Sequence, residues 1–196
     1  MTKFELFLQM GFEHIADIRG YDHILFILAL CGVYLLYQWK HVLILVTAFT
    51  IGHSVTLALA TLKILIIPSS IIEFLIPVTI VLTALLNIFR RSVQFSKRMH
   101  AIKYATAMFF GLIHGLGFSN YLRSMLGQEQ SIAKPLLAFN LGLELGQIAV
   151  VLVILLVAQL VVGLLKAPQR EWNLVISGSA FGIATILMLE RIGPLL

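Results

Sequence analysis

From Pro135 to Leu165 the chain runs through thirty-one residues with a single ionisable side chain, Glu144. A helical bilayer span needs roughly 20 apolar residues to cross a hydrocarbon core about 30 Å thick, and no soluble interior accommodates several such segments. This chain has several. Of its 196 residues 60% are hydrophobic and only 12% charged, with a mean hydropathy of +0.99, whereas soluble domains sit near about 45–50% apolar and about 25% charged. Disordered, collagen-like and ordinary soluble-enzyme classes are excluded, and the chain reads as an integral membrane protein. Cys31 is its one cysteine, so neither an internal disulfide nor a cysteine-based metal site is available. The net charge of +5 comes from basic residues at the ends of apolar runs. That is a topology signal and not a nucleic-acid footprint.

The expected fold class is all-α: a polytopic membrane helix bundle, one transmembrane domain over residues 1–196. Six spans are expected: Tyr21–Gln38, His41–Leu62, Ser70–Ile88, Ala101–Leu122, Pro135–Leu165 and Trp172–Glu190. Residues 3–19 read as a short amphipathic helix with Phe4, Phe7, Leu8, Met10, Gly11 and Ile15 on its apolar side, expected to lie at the membrane interface or to dip partly into it. The first twenty residues carry Glu5, Glu13 and Asp17 and lack the apolar core of a cleavable signal peptide. Between the third and fourth spans sit Arg90, Arg91, Lys97, Arg98 and Lys103; Lys40 and the Lys166/Arg170 pair fall on the same side. The positive-inside rule makes that side cytoplasmic, with both termini outside an inner (cytoplasmic) membrane.

Ionisable groups inside spans cost at least ~2.5–3.5 kcal/mol at the bilayer centre and mark function by default. Here they are His53 with Ser54, His114, and Glu144 flanked by Asn140 and Gln147; Asp22 and His23 open the first span, His14 lies just upstream, and Glu73 is near the start of the third. At ~1.5 Å per residue, His53, His114 and Glu144 come out roughly 13, 12 and 14 Å below the outer ends of their helices, which places them in one layer. Imidazoles with carboxylates and no thiolate suit a divalent transition metal, namely Zn, Ni, Co or Fe. The expected ligands are His14, Asp22, His23, His53, His114 and Glu144. Asn140 and Gln147 are candidate orienting groups, and Ser54 and Glu73 are uncertain members. Glu73 fits a capping box with Ser70 as N-cap equally well. Three G-x-x-x-G pairs, Gly111/Gly115, Gly142/Gly146 and Gly178/Gly182, predict close helix approach.

His14 followed by Gly20–Phe26, Thr47–Leu57 around His53, Phe110–Phe118 around His114 and Phe139–Gln147 around Glu144 together resemble the HupE/UreJ family of hydrogenase and urease accessory membrane proteins, in its second branch. The resemblance runs from about residue 10 to residue 155. It implies a multi-pass bacterial membrane protein that handles nickel for metalloenzyme assembly, and it carries the polar set His14, Asp22, His23, His53, His114 and Glu144, with Glu73 and Asn140.

Two mechanisms compete. In the first, a divalent ion passes Asp22, His23 and Glu73 at the outer mouth and binds the His53/His114/Glu144 layer on its way across. In the second, an intramembrane metal-dependent hydrolase acts on a lipid or lipidated substrate, with Asp22, Ser54 or Glu144 orienting or deprotonating a metal-bound water. A structural role for the histidines is the third reading. The adjacent His53 and Ser54 point in diverging directions on one helix, which is poor geometry for a serine nucleophile.

Overall fold

The computed structural model describes residues 2–18, 20–90, 97–126 and 132–193. It is all-helical, and no strand occurs among the described residues. The helices are α1 (Lys3–Ala16), α2 (Asp22–Cys31), α3 (Trp39–Thr61), α4 (Ser69–Phe89), α5 (Lys97–Gly117), α6 (Ser119–Leu126), α7 (Ala133–Ala158) and α8 (Gln169–Glu190). A 3₁₀ turn, Leu36–Gln38, leads into α3, and a π-helical stretch, Gln159–Leu164, prolongs α7. That stretch forms where Gln159 folds its side chain over Gly163; a Cβ there would sit 2.5 Å from the amide nitrogen.

Four helical segments are long and apolar enough to cross a membrane: Leu36–Thr61, Ser69–Phe89, Ala133–Leu164 and Gln169–Glu190; α5 and α6, bent by 50° at their junction, make a fifth if taken as one span. The protein is therefore a membrane protein with four or five such segments, and the first of the six expected spans, Tyr21–Gln38, is not among them. Its helix stops at Cys31 after ten residues, about 15 Å and half a bilayer core. Gly32 caps it, packed so closely on α8 that a Cβ would meet the Ile176 side chain and the Leu28 carbonyl, each at 2.6 Å. Ending a helix inside an apolar bundle strands carbonyls that water would otherwise satisfy, and side chains of neighbouring helices take them here. Asn87 Nδ2 donates to the Ala29 carbonyl (2.6 Å), Trp172 Nε1 to that of Gly32 (2.8 Å) and Gln169 Nε2 to that of Val33 (3.3 Å). α2 is an internal half-helix, with Leu25, Phe26, Ile27, Ala29, Leu30 and Cys31 all buried.

Glycines set the rest of the packing. α3 and α5 run parallel with backbones in contact: a Cβ on Gly52 would run into the Met108 carbonyl, one on Gly111 into that of Phe49, and one on Gly115 into the His53 carbonyl and the Thr56 hydroxyl. α1 and α7 pair in the same way, Gly11 against the Phe139 carbonyl and Gly142 against that of Leu8. The N-terminal helix thus forms as expected, but its apolar side (Phe7, Gly11 and Ile15) is buried on α7. α4 and α8 are antiparallel, tied at one end by Arg170 to the Asn87 and Ile88 carbonyls (3.3 and 2.6 Å) and at the other by Arg191 to the Glu73 carbonyl (3.0 Å). The third G-x-x-x-G pair meets no other helix among the described residues: beyond α8's own backbone, none lies within 4 Å of a Cβ built at Gly178 or Gly182.

Large apolar side chains such as Leu86, Phe89, Leu152, Val153, Leu156, Val175 and Ile186 face outward, the surface a lipid-embedded bundle presents. Lys40, Arg90 and Arg170 mark one end of the bundle, called the basic end below; Arg91 lies outside the described residues.

Candidate metal centre

Four helices each bring one imidazole to a common place. His53 is carried by α3 where Gly52, Gly111 and Gly115 let α5 approach, and it is fully buried. His114, also fully buried, comes from the last turn of α5. His23 begins α2 and His14 ends α1. Ring centroids are 4.5 Å apart for His14 and His23, 6.1 Å for His14 and His53, 6.2 Å for His23 and His53, and 5.2 Å for His23 and His114. One ring nitrogen from each of His14, His23 and His53 lies within 4.8 Å of the others. A tetrahedral ion with bonds of about 2.0–2.1 Å holds its nitrogens about 3.3 Å apart, so small side-chain rotations would bring the three onto one ion. Phe118 stacks on His14 with centroids 4.1 Å apart, and Phe139 stacks on Phe118 at 5.0 Å, walling the cluster with aromatic surface.

Hydrogen bonds assign the tautomers of His23 and His114. Asp22 Oδ1 lies 3.0 Å from His23 Nδ1; a carboxylate only accepts, so Nδ1 carries a proton and, in the neutral ring, the lone pair is on Nε2. Thr79 donates its hydroxyl hydrogen to the Ile76 carbonyl (2.7 Å), so its oxygen, 3.0 Å from His114 Nε2, accepts from that nitrogen. His114 Nδ1 is then the bare one. Buried and without a hydrogen-bond partner are His14 Nε2, His23 Nε2, both nitrogens of His53 and His114 Nδ1. Each buried polar atom without a partner costs about 1–3 kcal/mol. One of the two His53 nitrogens carries the ring proton, so the four rings offer at most one lone pair each toward the centre, and a donor set of four partnerless imidazole nitrogens fits a bound cation. The Asp22–His23 pair is the carboxylate–histidine arrangement that fixes a ligand's tautomer and raises its basicity. Asp22 also accepts from the His23 backbone N–H (2.8 Å) and lies 3.7 Å from Arg191. Asp22→Asn is expected to lower metal affinity about 10–100-fold, measured by competition with a chromogenic chelator, with the folded yield retained.

The other expected members stand elsewhere. Glu144 accepts a hydrogen bond from the Thr47 hydroxyl (2.8 Å), two helical turns along α3 from His53, because α7 crosses α3 there. Gln147 is buried and accepts from Thr50 (2.7 Å). Ser54 donates to the Thr50 carbonyl (2.7 Å), which occupies its hydroxyl hydrogen. Asn140 is half-buried, and its Oδ1 is enclosed without a partner. Glu73 is exposed and does not close a capping box, since α4 starts at Ser69 with Pro68 at the N-cap and no side-chain cap. The proline before the helix leaves Ser70 inside the first turn, too late to cap it. Thr79, Phe118 and Arg191 belong to the surroundings of the cluster and were not legible as such. Thr79's only signal is a hydroxyl in the middle of an apolar run.

The family model described as HupE / UreJ protein matches residues 1–191. No curated protein and no solved structure matches. Membrane-crossing helices, a buried imidazole cluster and a match over nearly the whole chain agree, and the chain belongs to the HupE/UreJ family.

Proposed function

We propose that this protein binds a divalent transition-metal ion (nickel, zinc, cobalt or iron) through His14, His23, His53 and His114 and carries it across the membrane to supply metalloenzyme assembly. The observation that carries the reading is the set of five buried imidazole nitrogens with no partner in the protein. All-nitrogen donors without thiolate suit these ions, and the Asp22 carboxylate supplies compensating charge.

Transport is favoured over a fixed site by what continues from the cluster. Thr50 bonded to Gln147, then Thr47 bonded to Glu144, extend polar groups from His53 along α3 toward the basic end. There His41 and His100 stack 3.8 Å apart and His41 bonds Tyr104 (2.7 Å). The cytoplasmic half of the protein is thus better furnished with polar groups than the linear sequence suggests. By the positive-inside rule the basic end faces the cytoplasm of a bacterial inner membrane. With α1 entering beside the start of α7, and α8 ending beside Glu73, both termini are extracytoplasmic.

Purified protein is expected to hold one metal ion per chain by elemental analysis, and proteoliposomes loaded with an internal metal-sensitive dye to take up that ion saturably. A tightly held ion that never crosses would favour the hydrolase reading. Protein that binds no metal over a concentration series would end the proposal.

A further inference from the structure

A cavity of about 620 Å³ opens beside the cluster, lined by Met10, Glu13, His14, Asp17, Phe118 and Tyr121 among others. It lies between the end of α1 and the start of α6. The mouth expected past Asp22, His23 and Glu73 is different: Arg191 lies there, 3.7 Å from Asp22 and bonded to the Glu73 carbonyl. A guanidinium across that opening repels a cation. The cavity has the opposite character. Glu13 and Asp17, one helical turn apart, are exposed on its wall.

We propose that this cavity is the access route of the metal ion, with Glu13 and Asp17 collecting hydrated divalent cations and His14 passing them to His23 and His53. The inference rests on the metal-centre reading above. His14 is the link because it belongs to both places: it lines the cavity, its Nε2 is enclosed without a partner, and one of its ring nitrogens lies within 4.8 Å of those of His23 and His53. A hydrated ion with six waters at about 30 Å³ each occupies about 180 Å³, so the ion fits with its shell intact and exchanges water for imidazole only at the cavity floor. The carboxylates hold the ion as an outer-sphere complex. Oxygen donors on an exposed helix end bind these ions more weakly than buried imidazoles do, so the ion moves inward. Among the described residues no lysine or arginine lines the cavity.

The test follows cobalt(II) loading of the full-length protein in detergent by stopped-flow absorbance. The double variant Glu13→Gln/Asp17→Asn is expected to load about tenfold more slowly than wild type, with a flatter dependence on ionic strength and the same final stoichiometry. In a second arm, Ala16→Cys on the cavity wall is modified with a bulky cationic thiol reagent; Cys31 is buried and stays unmodified. Loading is expected to stop, while protein loaded beforehand keeps its ion. Modified Glu73→Cys, outside the cavity, is expected to load at the wild-type rate. Wild-type rates in both cavity variants would overturn the route and leave the metal centre standing. Failure of the wild-type protein to bind cobalt, nickel or zinc would overturn both.

Discussion

His53→Leu is expected to remove high-affinity metal binding and, at the same time, to raise the melting temperature of the metal-free protein. The two effects share a cause. His53 is fully buried and neither of its ring nitrogens has a partner. Without an ion, each such atom is a cost of about 1–3 kcal/mol, and leucine fills similar space without it. With an ion present the same nitrogen is a ligand. Its loss is expected to exceed the roughly 10–100-fold typical of removing a group that only orients a ligand. Thermal melts of wild type and variant, each with and without added nickel or zinc, check this directly. Wild type is expected to gain stability with metal and the variant to gain none. If His53 only packs the bundle, its replacement lowers the melting temperature in both conditions, and the metal has no effect on either protein.

Gly115→Val is expected to be the most damaging single substitution near the site. The added carbons collide with the Thr56 hydroxyl and with the His53 carbonyl, and the carbonyl is α3 backbone that cannot rotate away. Accommodation requires α5 to move off α3. Overpacking of a core costs about 1–3 kcal/mol even where side chains can adjust, so a collision with backbone is expected to cost more. Because His53 and His114 ride on these two helices, separation also spoils the alignment of the cluster. The expected result is a sharp fall in monodisperse protein on size-exclusion chromatography, and no metal in the fraction that survives. Gly178→Val is the matched control: beyond its own helix, no described residue lies within 4 Å of a Cβ built there, and wild-type behaviour is expected.

The contrast between these two glycines shows where sequence reading stops. Both belong to G-x-x-x-G pairs, and nothing in the spacing says which pair meets a partner helix. Spacing likewise finds that α1 is amphipathic; that Gly11 docks it on α7 depends on where α7 runs. The stop at Cys31 was hidden for a related reason. Residues 21–38 are continuously apolar enough to cross a membrane, and the helix ends early only because Asn87, Trp172 and Gln169, from sixty to over a hundred residues away, receive the freed carbonyls. Depth counting placed Glu144 level with His53 by treating helices as vertical rods. α7 packs against α3 so that this carboxylate accepts from Thr47, six residues from His53.

Composition alone determined the solvent. A chain this apolar and this poor in charge folds in lipid as helices, since only helices and closed barrels satisfy their own backbones there. The same rule marked the histidines, because an imidazole in an apolar run is too costly to be incidental. Which imidazoles lie together, which of their nitrogens lack a partner, and where a cavity opens beside them were decided by tertiary structure. Those properties depend on helix crossings and on hydrogen bonds between residues distant in the chain, such as Thr79 with His114. Local periodicity carries no information about them.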